Sequence, residues 1–188
     1  LVVVALLGLW GWEAYRQRQN RLAAVEYSRA LDLYHGGNYL QAIELFGKVN
    51  AYSSSPYSRL ALLYQANSYI ALEDSKKAAG SLTDLLQRER KETYLRQLAL
   101  LTSGYLQEKA GNCKEAGNNF AAAEKITGPF KDEALLARAR CSLQTQDPKG
   151  ALDSYRRYLT SYPGSERAGE ISLKIQEIEA KIAAGGGK

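Results

Sequence analysis

Histidine occurs once in the 188 residues and cysteine twice, and four prolines are spread over the whole length. One histidine and two cysteines leave little material for a metal site. No Cys-x-x-Cys, His-Glu-x-x-His, phosphate-binding glycine loop or nucleophile elbow is present. His35 lies beside the Gly36-Gly37 pair, a helix-end position rather than a catalytic one. The carboxylates are scattered along the chain, and no pair stands out for acid–base work. These absences argue against an enzyme, a cofactor and a small-molecule substrate. The scarcity of proline, with Ala, Leu, Gln, Glu, Lys and Arg filling the stretches between turn residues, predicts an all-α chain. Long blocks of one charge are missing too. The net charge is +5, yet the basic and acidic residues alternate, as on a solvated mixed surface. The densest basic group, Arg88, Arg90, Lys91 and Arg96, is interrupted by Glu89 and Glu92 and has no interleaved aromatics, which argues against nucleic acid.

One uncharged run does occur. Leu1–Trp12 (LVVVALLGLWGW) carries no charge and gives way to Glu13, Arg16, Arg18 and Arg21, with Trp10, Trp12 and Tyr15 placed where interfacial aromatics belong. A bilayer needs about twenty apolar residues. The run is therefore read as the end of a transmembrane helix that extends upstream of Leu1, and residues 1–21 as anchor plus juxtamembrane segment. No Ala-x-Ala cleavage pattern follows Trp12, as a signal peptide would require. The three arginines bias the visible flank toward the cytoplasm; the other flank would decide the orientation.

The main signal is internal repetition. An alanine recurs at Ala42, Ala78, Ala116 and Ala151, at spacings of 36, 38 and 35. A bulky residue follows four positions on (Phe46, Leu82, Phe120, Tyr155), and another residue of the same face three later (Val49, Leu85, Ala123, Tyr158). Twelve positions before each alanine stands a second small residue: Ala30, Ala66, Gly104 and Ala139. Small residues in both helices are what two closely crossing helices require. HGGN at His35–Asn38, AGN at Ala110–Asn112 and QDP at Gln146–Pro148 mark the turns. Each unit is thus a helix, a tight turn and a helix.

This pattern resembles the tetratricopeptide repeat, best in the fourth unit, where Ala139, Ala151, Tyr155 and Pro163 match the family's small, aromatic and proline positions. The resemblance implies a solenoid of about four hairpins over residues 22–164. Beyond it, Ala168, Ile171, Ile175, Ile178 and Ile182 form one apolar stripe, which predicts a capping helix over residues 165–183; a seam for a partner helix is the alternative. Residues 184–188 are expected to be a flexible tail. In such a solenoid the first helix of each hairpin lines a concave surface. The register projects onto it Tyr27, Leu31 and Tyr34, then Leu63, Tyr64 and Asn67, then Leu101, Tyr105 and Glu108, then Leu136, Arg140 and Gln144. Of these, Tyr27, Tyr34, Tyr64, Asn67, Tyr105, Glu108, Arg140 and Gln144 are the expected partner-binding residues, tyrosine giving contact area at low entropic cost. The other reading of the tyrosines is packing between helices.

An uncharged span running into degenerate repeats is similar to the membrane-anchored periplasmic tetratricopeptide family associated with the Sec translocon, the YfgM-like proteins. That resemblance implies a single-pass inner-membrane protein with a periplasmic repeat domain, acting as chaperone-like scaffold or ancillary translocon subunit, with the translocon, periplasmic chaperones and peptide segments as partners. The ending RRYLTSYPGSERAGEISLKI also resembles envelope repeats of the outer-membrane assembly and Tol-Pal type, and a structural subunit of a stable membrane complex is a further alternative. Finally, Cys113 opens the second helix of the third unit and Cys141 lies late in the first helix of the fourth. Stacked antiparallel, these helices bring the two cysteines near one another; they are read either as a disulfide in an oxidising compartment or as two separate thiols.

Overall fold

The computed structural model describes residues 1–185. Among them the chain forms nine α-helices and no strand: α1 (Val2–His35), α2 (Tyr39–Asn50), α3 (Pro56–Ala71), α4 (Ser75–Arg88), α5 (Tyr94–Lys109), α6 (Cys113–Lys125), α7 (Lys131–Gln144), α8 (Pro148–Ser161) and α9 (Ala168–Gly185). They fall into two compact units, Leu1–Arg90 with α1 to α4 and Lys91–Lys188 with α5 to α9.

The hairpin register of the sequence is the register of the structure. All four residues of the alanine column, all four of the bulky column and all four of the third column are buried, as are Ala30, Ala66 and Ala139 of the earlier helices. The four turns are also built alike. A residue with positive φ stands five positions before each alanine: Gly37 (76°), Glu73 (60°), Gly111 (80°) and Gln146 (58°). The amide of the next residue closes back on the preceding helix in every case, Asn38 to Leu33, Asp74 to Tyr69, Asn112 to Gln107 and Asp147 to Ser142, at 2.8–2.9 Å. This closure satisfies carbonyls that a helix end otherwise leaves open. Glycine at two of these positions suits the left-handed conformation, while Glu73 and Gln146 adopt it against the Cβ penalty. Asp74 and Asp147 compensate by capping α4 and α8, their carboxylates accepting from the amides of Lys77 and Gly150.

In the first unit, Ala23, Tyr27, Ala30, Ala42, Phe46, Val49 and Ala61 form a core between α1, α2 and α3. α1 is continuous for 34 residues, so the apolar run and the first helix of the first hairpin are one helix. The side chains of Val2, Val3, Val4, Leu6, Leu7, Leu9, Trp10 and Trp12 are all exposed. No helix among the described residues is long and apolar enough to cross a membrane, so the expected anchor is not made by these residues alone.

In the second unit, α9 lays the predicted stripe on α8: Ile171 and Ile178 are buried with Tyr155 and Tyr158, and Ile175 and Ile182 pack at the margin. α9 begins at Ala168, three residues later than expected, because Ser165 instead accepts a hydrogen bond from the Arg167 amide in the preceding turn. It also runs to Gly185, so Ala184 and Gly185 are helical rather than part of a flexible tail; the rest of that predicted tail, 186–188, lies outside the described residues.

The third hairpin carries glycine in its earlier small column because Phe120 occupies the space. A Cβ on Gly104 would lie 2.3, 2.7 and 2.8 Å from three carbons of that buried ring. Gly104→Ala is therefore expected to lose about 1–2 kcal/mol, the overpacking outweighing a helix-propensity gain of about 0.5–1 kcal/mol. The control is Gly80→Ala on α4, where nothing lies within 4 Å and the gain should appear alone. Urea denaturation of the two variants checks this; equal stabilisation by both would mean that the α5–α6 crossing is looser than described.

Candidate functional site

The tyrosines of the first unit are largely committed to packing. Tyr27 is buried, its ring 5.3–6.0 Å from those of Phe46, Tyr57 and Tyr64. Tyr64 stacks on Phe46 at 5.8 Å and meets Tyr34 edge-on at 5.3 Å. Tyr34, Tyr64 and Asn67 keep partly exposed edges. Burial pushes the Tyr34 hydroxyl above its ordinary range, so it stays a neutral donor. Leu63 and Leu101, projected onto the groove from sequence, are buried as well. The first helix of a stacked hairpin touches its own second helix and its neighbours, so its buried arc is wider than one stripe and takes in positions next to the open face.

The second unit gathers four of the expected residues into one constellation. Tyr105 and Glu108 come from α5, one turn apart, and Arg140 and Gln144 from α7. The Arg140 guanidinium donates through Nε to Glu108 Oε1 at 2.5 Å and through Nη2 to Oε2 at 2.8 Å. Its planar group also sits 5.9 Å from the centroid of the Tyr105 ring. The bond to Glu108 raises the guanidinium pKa further, fixing its charge. Tyr105 donates its hydroxyl to Glu133 of α7. Burial first, and that carboxylate second, push the phenol well above its usual range. The pair Glu108–Arg140 was not foreseen; its signal was opposite charge on consecutive first helices, each beside the small column.

Arg140 and Gln144 also line a groove of about 950 Å³ between α7, the start of α8 and α9. Leu136, Leu143, Tyr155, Ile171, Ile178 and Ile182 supply its apolar lining. Its charges are mutually paired: Arg140 with Glu108, Lys174 with Glu170 at 2.6 Å, Lys181 with Glu177 at 2.6 Å, and Arg167 with Glu133 at 3.8 Å. Such a site offers a hydrophobic strip with a balanced rim. Behind it, Glu108, Cys113 and Cys141 bring one carboxylate oxygen and two sulfurs within 4.8 Å of one another. The sequence reading, which weighed only histidine and cysteine, had not joined Glu108 to the cysteines.

A model of a family described as tetratricopeptide repeat-like domain matches residues 1–180. No curated protein matches the chain. Among solved structures, the kinesin-light-chain TPR-like repeats of Podosopora anserina (Q17M variant) superpose with a TM-score of 0.63 at 15% identity, over 88% of this chain and 94% of that one. The MamA protein superposes with a TM-score of 0.65 at 16% identity, over 86% of this chain and 94% of its own. At these identities the likeness is one of fold.

Proposed function

The chain belongs to the tetratricopeptide repeat-like domain family, and from that premise we propose that it is a membrane-tethered protein–protein interaction scaffold of the bacterial envelope. In this reading Leu1–Trp12 belongs to the tether, the repeat domain is periplasmic, and the groove of the second unit receives a segment of a partner protein at or near the Sec translocon. The observation that carries the reading is the groove. Its isoleucines recur from Ile171 to Ile182 along three turns of α9, roughly 16 Å of apolar edge. An elongated amphipathic segment matches that shape, and rim charges already paired with each other leave apolar contact as the main source of affinity. The tether draws support from the start of α1, where the large apolar side chains Val2, Val3, Val4, Leu6, Leu7, Leu9, Trp10 and Trp12 are all exposed, a pattern that water does not favour.

A photo-crosslinking residue at Leu143 in the groove, compared in cells with one at Glu115 on α6, tests this. Translocon subunits or periplasmic chaperones are expected from Leu143 only, and Ile182→Glu should reduce that yield about tenfold with the helical signal unchanged. Equal crosslinking from Glu115, or a yield indifferent to Ile182→Glu, would move the binding surface out of the groove.

A further inference from the structure

Cys113 and Cys141 are the only sulfur-bearing residues of the chain, and the fold brings them into direct contact. Cys113 is the first residue of α6 and Cys141 lies on α7; their Sγ atoms are 2.7 Å apart, and both side chains are buried. The Cys113 sulfur is also 2.8 Å from Oε1 of Gln144, to which its S–H donates, and Gln144 lines the groove. We propose that Cys113 and Cys141 are an oxidation site that closes to an intramolecular disulfide, stapling α6 to α7 and altering the groove through Gln144.

The alternative use of this cluster is a thiophilic cation held by the two sulfurs and Glu108. Both carboxylate oxygens of Glu108 are already bonded to Arg140, at 2.5 and 2.8 Å. A cation would have to displace a guanidinium and then sit beside its positive charge. A disulfide needs neither change.

The oxidant is a disulfide of the glutathione or protein class, RSSR. Cys113, the less buried of the two, attacks it as the thiolate, forming a mixed disulfide and releasing one RSH after proton uptake. The Cys141 sulfur then attacks the Cys113 sulfur, releasing the second RSH. Two thiol protons and two electrons have passed to RSSR, and one S–S bond replaces another. Burial pushes the Cys141 thiol above its usual range, so the second step accelerates as pH rises. Closure takes away the hydrogen that Cys113 gives Gln144. The amide oxygen of Gln144 then turns free toward the groove. None of this depends on the envelope assignment.

The full chain is incubated in glutathione buffers of stepped oxidation, acid-quenched, unfolded and alkylated, and its mass is measured. We expect a form two hydrogens lighter and unlabelled to accumulate without a lasting glutathione adduct, melting on the order of 10 °C higher than the reduced form and reverting with dithiothreitol. Cys113→Ser, which keeps a donor for Gln144, and Cys141→Ala should both remain open and keep the reduced melting temperature. The side-chain amide resonance of Gln144 should move on oxidation of the parent. Two labelled thiols at every buffer ratio, a glutathione adduct as end product, or stoichiometric zinc that blocks labelling until chelated would overturn the site. An unmoved Gln144 resonance in the closed form would overturn its link to the groove.

Discussion

Gln97→Leu is expected to cost the second unit about 3–5 kcal/mol, although leucine nearly matches glutamine in volume. Gln97 lies fully buried on α5. Its Nε2 donates to the carbonyls of Ala123 and Ile126 at 3.1 and 3.0 Å, and its Oε1 accepts from the Phe130 amide at 3.3 Å. One carboxamide thus holds the whole connection between α6 and α7. Gly128 marks how closely that connection approaches, since a Cβ there would lie 2.3 Å from Oε1. Leucine leaves two carbonyls and one amide without this partner, at roughly 1–3 kcal/mol each before any reach water. Gln97→Glu should cost at least as much, because its carboxylate can still accept from Phe130 but would be a buried charge facing two carbonyl oxygens to which it cannot donate. Urea midpoints of the two variants provide the measurement. A loss below about 1 kcal/mol for leucine would mean that the connection finds other partners.

What the sequence made legible follows from periodicity. Small residues at Ala42, Ala78, Ala116 and Ala151 announce helix crossings because no large side chain fits there, and the same spacing places the four turns. The stripe from Ile171 to Ile182 is equally plain, since a charged face stands opposite it. Other features had no periodic signal. Glu73 and Gln146 take a conformation that a glycine would advertise, and their neighbours Asp74 and Asp147 supply the only hint. No spacing in the sequence marks Gln97 or Glu124 as buried, because their burial depends on backbone or arginine partners 14 to 33 residues away. The groove was half visible. Leu136, Arg140 and Gln144, projected from α7 onto a concave face, line it, but its other wall belongs to α9, whose isoleucines were read as a capping stripe or as a seam for a partner helix. The same residues do both: Ile171 and Ile178 face α8 and also line the groove.

Removing Glu124 should be the second large effect, about 2–4 kcal/mol for Glu124→Ala. The side chain is 3% exposed in the last turn of α6 and is paired with two arginines, Arg138 of α7 at 2.9 Å and Arg157 of α8. It therefore ties three helices together through one carboxylate. Deleting a buried charge that has partners typically costs about 3–5 kcal/mol because the partners stay behind unpaired. Here the loss should sit toward the lower end, since the Arg157 side chain is 49% exposed and has Asp153 within 3.7 Å. Arg138, 28% exposed, has less access to water and should carry most of the penalty. Accordingly, Arg138→Leu made in the Glu124→Ala background should recover part of the stability, whereas Arg157→Leu should recover little. Salt separates this site from surface pairs: 1 M sodium chloride should leave the Glu124 effect nearly intact while abolishing any effect of Lys181→Ala, whose partner Glu177 is itself mostly exposed. A salt-sensitive loss, or one that neither arginine substitution offsets, would show that the carboxylate acts as a solvated surface charge and that the three helices are held by their apolar columns alone.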